Sequence, residues 1–220
     1  MKERHRGVPV QQLTGEVMFF GLSFRVRPTA LIPRPETEEL VELALDVIPR
    51  DQPSRVLDLG TGSGVIAICL AKYAPVADVV ATDVSPDALV LAKENASRLG
   101  VLERIRFVQS DWFAGLDGTF DVIVSNPPYI DMEDLPALQR EVRDHEPRIA
   151  LDGGESGLAS ITALARNACE HMVPGGKLLL EIGGTQAEAV TAMLVEIGLK
   201  IGEVRRDLAG KERFVIARCP

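Results

Sequence analysis

Residues 56–71 read VLDLGTGSGVIAICLA. An apolar run of strand length, VLDL, gives way to glycines at alternate positions, Gly60, Gly62 and Gly64, and the chain then continues as the apolar run VIAICLA. Glycine lets a chain turn tightly and lets backbone approach a ligand, and a helix that starts there offers unsatisfied N–H groups. A strand, a glycine turn and a helix in this order are the repeating unit of an open parallel sheet, so the neighbouring stretches should repeat the alternation.

They do. Downstream lie VADVVATD as a strand and SPDALVLAKENASRLG as a helix, with Ser85 reading as its N-cap, Pro86 as its first residue and Gly100 as the residue just past its end. IRFVQS and FDVIVS follow as strands, then a segment with helical character from Asp134 to Val142, a helix from about Leu158 to His171, the strand KLLLEIG and the helix TQAEAVTAMLVEIG. IGEVRRD and RFVIAR close the chain as strands joined by LAGKE, near enough to pair antiparallel. Upstream, ETEELVELALDVI spaces its apolar residues for a helix with acids in the first turn, and Pro49 and Pro53 end it. Before that, VMFFGLSFRVRP holds two β-prone runs around Gly21 and Leu22. The expected fold is α/β: a doubly wound, mostly parallel seven-stranded sheet with helices on both faces and a final antiparallel strand. A short β-hairpin flap in residues 1–30 precedes the main domain, residues 31–220.

The 220 residues, 46% apolar with mean hydropathy +0.10, suffice for one well-filled domain. Cys69, Cys169 and Cys219 are too far apart for a metal pair, and the odd count suits structural thiols in a reducing compartment. The N-terminus lacks a signal-peptide core, and no apolar stretch approaches the roughly 20 residues that cross a bilayer, so a cytoplasmic location without membrane contact is expected. A net charge of -8 argues against general binding to a phosphate backbone. His5, His145 and His171 have no metal or catalytic-triad spacing, and no metal site is expected.

The glycine turn misses the dinucleotide pattern GxGxxG, whose last position would fall on Val65. A GxGxG preceded by an acid, Asp58, instead resembles the S-adenosylmethionine site of class I methyltransferases. Asp83 ends the next strand, where a carboxylate can accept both hydroxyls of an adenosyl ribose; capping the helix ahead of Pro86 is the alternative. Asp58 either holds the glycine loop or sits near the methionine amino group. In SDWF, Trp112 is placed to cover an adenine face and Asp111 to fix the base, against the alternative of Trp112 as plain core.

SNPPYI, residues 125–130, falls at the end of FDVIVS and at the same sheet edge. Pro127 and Pro128 fix φ and donate no amide hydrogen, so they present carbonyl oxygens from a stiff loop. With the Asn126 side-chain oxygen they supply acceptors for the two hydrogens of a planar NH2 group. Tyr129 can pack its ring over that group and favour a nearby sulfonium charge.

Together these residues strongly resemble the release factor glutamine methyltransferase family over residues 7–218. PVQQLTGEVMFFGLSF, LIPRPETEELVE, LDLGTGSGVIAICLA, SDWF, SNPPYI, HEPRIALDGGESGL, LLLEIG and DLAGKERFVIA all match its landmarks. The resemblance implies methyl transfer from S-adenosylmethionine, leaving S-adenosylhomocysteine, to the amide nitrogen of the glutamine in the GGQ loop of peptide chain release factors, by a monomeric enzyme that does not itself bind nucleic acid. It implies cofactor contacts from Gly60, Thr61, Gly62, Ser63, Gly64, Asp83, Asp111, Trp112 and Asn126, and a hold on the target glutamine by Asn126, Pro127, Pro128 and Tyr129. Arg34 would lie near the site mouth, unless Glu36 or Glu38 takes up its charge. Gln12 and His145 stand where the family pattern has tyrosine, and the helical N-terminal domain usual in the family has no counterpart ahead of the flap.

NPPY alone would also suit a methyltransferase acting on the exocyclic amine of adenine, which would need base flipping and a basic face. A cofactor-binding regulatory protein is the non-enzymatic alternative.

Overall fold

The computed structural model describes residues 2–220. Its strands are β1 (Glu16–Phe19), β2 (Leu22–Arg25), β3 (Ser54–Leu59), β4 (Ala77–Asp83), β5 (Ile105–Gln109), β6 (Phe120–Ser125), β7 (Met172–Glu181), β8 (Lys200–Arg206) and β9 (Glu212–Arg218). Its α-helices are α1 (Lys2–His5), α2 (Val10–Thr14), α3 (Glu36–Val47), α4 (Val65–Tyr73), α5 (Pro86–Arg98), α6 (Arg140–His145), α7 (Ala159–Ala168) and α8 (Ala187–Glu196).

Strands β3 to β9 form one seven-stranded sheet in the order β5-β4-β3-β6-β7-β9-β8. The pairs from β5 through β7 are parallel, and β9 runs antiparallel between β7 and β8. The central strands are buried on both faces, which is why SRVLDL and FDVIVS are nearly continuous apolar runs. One face packs under α3 and α4 through Val56, Val79, Val122, Leu40 and Ile68, with Cys69 in the same core. The other packs under α7 and α8 through Leu57, Ile123, Leu178, Leu164 and Val190. At the outer edge β8 exposes Lys200, Glu203, Arg205 and Arg206, charges that discourage pairing with another chain.

β1 and β2 form the expected separate hairpin. Its turn residues are Phe20 and Gly21, both at positive φ (50° and 72°), as a two-residue turn matched to strand twist requires, so Leu22 belongs to the second strand. The segment with predicted helical character from Asp134 to Val142 differs: a single 3-10 turn, Leu135–Ala137, is followed by α6 at Arg140–His145. Pro136 sits in the first turn of the short helix, and Leu138 and Gln139 are extended, so the run breaks in two. Among the described residues no helix is long and apolar enough to cross a membrane.

The hairpin is tied to the sheet domain by Asn95, a fully buried residue of α5. Its Oδ1 accepts the Arg25 N–H at 2.8 Å, while its Nδ2 lies 3.1 Å from the Arg25 carbonyl and 2.9 Å from the Ser63 carbonyl. One side chain thus fixes the flap and the glycine loop to the same helix. Gly64 lies where a side chain would meet Ala92 and Ile68 at 3.0 Å, at φ 87°, so glycine here permits α4 and α5 to approach. Replacing Asn95 leaves three backbone groups without partners, so Asn95→Ala is expected to lose about 2–4 kcal/mol of stability, read from chemical unfolding. Accelerated hydrogen exchange at the Arg25 amide should accompany it.

Candidate active site

The carboxyl ends of β3, β4, β5 and β6 open onto one cleft of about 660 Å3. Gly60, Thr61, Gly62, Ser63, Asp83, Asp111, Trp112, Asn126 and Pro128 line it. Gly64 is not in the lining; it supports the loop from behind. A second groove of about 440 Å3 adjoins it, lined by Pro127, Tyr129, Leu138, Gln139 and Val142. Leu31, Arg34, Asn126 and Ala150 face both spaces. Asn126 therefore stands at the junction, with the cofactor-like cleft on one side and the groove on the other.

Asp58 is fully buried at the end of β3. Its Oδ2 accepts the Thr61 hydroxyl at 2.6 Å and the Ala67 N–H at 3.0 Å, which ties the glycine loop to the first turn of α4. Its Oδ1 has no partner. Burial is the main cause that pushes this carboxyl up to about 7, against the opposing pull of Thr61 and Ala67. The loop-holding reading of Asp58 is thus realised by one oxygen, and the other is buried without a partner behind the loop.

Asp83 ends β4 with Oδ2 accepting the Gly62 N–H at 2.8 Å and Oδ1 accepting the Ser85 N–H at 2.9 Å. Burial raises its pKa, and these backbone donors oppose the rise. Ser85 itself caps α5 by accepting from Ala88 N–H, so Asp83 fixes the capping residue and leaves lone pairs on both oxygens. Gly60 (φ 72°) has open space where a side chain would project, and Gly62 (φ 56°) has only the Ala30 methyl there at 4.0 Å. Trp112, half-buried, has a left-handed φ of 51° and packs partly against the core while lining the cleft; the Ser110 hydroxyl lies 2.8 Å from its carbonyl.

The NPPY loop is backed by both main chain and side chains. Ile130 exchanges hydrogen bonds with Leu151 and Gly153, and the Gln186 amide donates to the Tyr129 carbonyl at 3.0 Å. Gly153 and Gly157 lie so close to the backbone of Tyr129 that a side chain at either would collide with it. That contact explains two glycines of DGGESGL; the third, Gly154, sits at φ 78° where a side chain would meet Ala159. Neither proline carbonyl of the loop accepts a hydrogen bond from the described residues.

Three side chains at the site had no assigned part in the sequence reading. Thr37 accepts the Asn126 Nδ2 at 3.0 Å and donates to the buried Glu181 at 2.8 Å, and the Tyr129 hydroxyl donates to Glu181 at 3.3 Å. Glu146 is the third. Arg34 pairs with neither Glu36 nor Glu38, as its sequence neighbourhood suggested, but with Glu146 at 2.6 Å. The other Glu146 oxygen accepts the Ile32 N–H at 3.0 Å. Glu38 is engaged elsewhere, accepting the Phe20 N–H at 2.8 Å. The signals were present: a glutamate closing the apolar run LLL, a threonine inside PETE and a glutamate inside HEPR. Gln12 and His145, the positions that depart from the family pattern, are brought together, the Gln12 amide donating to the His145 carbonyl at 2.8 Å.

Residues 39–154 match the family model of the methyltransferase small domain. The release factor glutamine methyltransferase of Cereibacter sphaeroides is 48% identical over 212 residues, which span 96% of this chain and 75% of that protein. The chain belongs to the release factor glutamine methyltransferase family. The Deinococcus radiodurans member of this family is 46% identical over 99% of the chain and 77% of its own length. Among solved structures, a methyltransferase from Pyrococcus furiosus shares the fold with a TM-score of 0.69 at 21% identity, covering 99% of this chain and 98% of that one. The class I methyltransferase fold expected from strand and helix alternation is thus the observed one.

The Arg34–Glu146 pair clasps residues 31–34, which line both spaces at Leu31 and Arg34, to the segment around α6. The Glu146 side chain is 1% exposed and that of Arg34 is 31% exposed, so truncating the acid strands a half-buried cation and a buried amide. Glu146→Ala is expected to cost about 2 kcal/mol or more, read from thermal unfolding, whereas Glu36→Ala should change little.

Proposed function

We propose that this chain transfers a methyl group from S-adenosylmethionine to the side-chain amide nitrogen of the glutamine in the GGQ loop of peptide chain release factors, as its family does. An enzyme that modifies a translation factor works where translation occurs, in the cytoplasm. The observation that carries the reading is the state of Asn126. Its amide hydrogens face Thr37, which leaves Oδ1, beside the uncommitted carbonyls of Pro127 and Pro128, at the junction of the cleft and the groove.

The residues of the cleft fit the cofactor. Asp83 has spare lone pairs for two vicinal hydroxyls, Gly60 and Gly62 leave room against the loop, and the orphan Oδ1 of Asp58 suits an ammonium. When bound, S-adenosylmethionine supplies an electrophilic methyl group on a sulfonium. The chain's own task is to prepare a poor nucleophile. The lone pair of an amide nitrogen is delocalised, and two fixed acceptors on its hydrogens hold the nitrogen in place and favour its pyramidal form. Their attraction grows as positive charge develops on that nitrogen, so they bind the transition state more tightly than the ground state. Tyr129, whose phenol is kept protonated by burial and by Glu181, closes the groove side.

Incubation with labelled cofactor should label an intact release factor on glutamine, identified by mass spectrometry, and should leave DNA unlabelled; adenine labelling would favour the nucleic-acid reading. Asn126→Ala should cut the single-turnover rate by about 30-fold, or about 2 kcal/mol, with a much smaller change in cofactor affinity. Asp83→Ala should do the reverse.

Asp58 adds a pH dependence to binding. An ammonium near Oδ1 would lower the carboxyl that burial holds at about 7, so binding expels a proton where Asp58 is protonated in the free protein. Affinity for S-adenosylmethionine is expected to rise as pH increases through about 7. Calorimetric titrations in buffers of different ionisation enthalpy should register the released proton.

A further inference from the structure

Glu181 ends β7 and is 1% exposed, beneath the NPPY loop. A carboxylate in such a place carries a desolvation cost that an apolar side chain of similar volume would avoid. What it gains is a chain of hydrogen bonds to Asn126. Glu181 Oε2 lies 2.8 Å from the Thr37 hydroxyl, and the same hydroxyl oxygen lies 3.0 Å from Asn126 Nδ2. Thr37 has one proton to give. If it goes to the carboxylate, the hydroxyl can only accept from Asn126, and the atom that faces it must be the NH2 end of the amide.

We propose that Glu181, acting through Thr37, is a positioning residue that fixes the polarity of the Asn126 amide, so that its oxygen faces the nitrogen to be methylated. The inference rests on reading Asn126 as a clamp for an acceptor NH2 group. A protonated Glu181 would donate to Thr37 instead and free the threonine proton for Asn126. Either end of the amide then satisfies Thr37. In the reversed orientation an NH2 group faces the substrate NH2 group, donor against donor, and the clamp loses one of its acceptors.

The ionisation of Glu181 is therefore a control point. Burial pushes its carboxyl up to about 7, while Thr37, the Arg213 guanidinium and Tyr129 pull it down and Glu36 of α3 pushes it up. Arg213 of β9 is itself held by Asp207 at 3.3 Å, and Arg34, whose charge also acts on Tyr129, is paired with Glu146. Methyl transfer should accordingly fall as pH drops through about 7.

The test uses the full chain with an intact release factor. Single-turnover rates at saturating cofactor and release factor are measured from about pH 6 to pH 8.5 for wild type, Thr37→Val, Thr37→Ser and Glu181→Gln. In parallel, the side-chain amide signals of Asn126 are followed by 15N NMR over the same range. Thr37→Val, of similar shape without the hydroxyl, is expected to lose about tenfold or more in rate with cofactor affinity within about twofold, and Thr37→Ser to keep most of the rate. The Asn126 signals should titrate with a midpoint near 7 in wild type, and both that titration and the acid limb of the rate should vanish in Glu181→Gln. A Thr37→Val protein with the wild-type rate, or an acid limb that survives in Glu181→Gln, would overturn the inference while leaving the methyltransferase reading intact. Wild-type protein that methylates no release factor would sink that reading instead, and the NMR titration would then decide the hydrogen-bond chain alone.

Discussion

Strand order reverses at β3, with β4 on one side and β6 on the other, and a parallel sheet cannot cover the carboxyl ends of its strands at such a point. The crossover helices depart to opposite faces and leave a crevice between them. Each element of the site inherits its position from that crevice. The glycine loop rises from β3, Asp83 from β4, the Trp112 turn from β5 and the NPPY loop from β6. The seven strands need no knowledge of the reaction to bring these four segments together.

Electrostatics then settle what the crevice can hold. Two carboxyls buried behind it, Asp58 and Glu181, are held up near 7 mainly by burial, and the partners of each are hydroxyls and N–H groups rather than cations in direct contact. Each is raised in the folded chain, so each favours folding most at pH below its unfolded value and withdraws that contribution as pH climbs through about 7. The cost of ionising these two carboxyls near neutral pH is met only in part by the hydroxyl and N–H donors around them. By contrast, the Arg34–Glu146 pair has its partner built in and serves the walls.

What the sequence disclosed was local. Ser85, Pro86 and Gly100 bracket α5 because capping and turn chemistry act over a few residues, and the alternation of apolar strands and helices follows from burial on both faces of the sheet. Gly60, Gly62, Asp83, Trp112 and Asn126 could be placed at one edge on that basis alone. The partners that complete the site lie far away in the chain: Thr37 and Glu181 are 144 residues apart, and Arg34 and Glu146 are 112. A charged side chain announces itself in a sequence, but its partner does not, and for Arg34 the acids nearest in sequence pointed the wrong way. The broken helix between Asp134 and Val142 was obscured for a different reason, since Pro136 is tolerated in a first turn and so does not mark where the run fails.

The contact of Gly153 and Gly157 with the backbone of Tyr129 divides the acceptor region into two parts with different freedom to change. The Tyr129 end of the NPPY loop lies against the main chain of Gly153 and Gly157, so a new side chain behind it has nowhere to go. The opposite wall of the groove is made of side chains, Leu138, Gln139 and Val142, carried by a short, interrupted segment near the surface. Change at the groove, by evolution or by redesign, can therefore proceed through that outer wall while the NPPY loop stays as it is. Under the proposed function, selectivity and chemistry would fall to different parts of one groove, and only one part is open to revision.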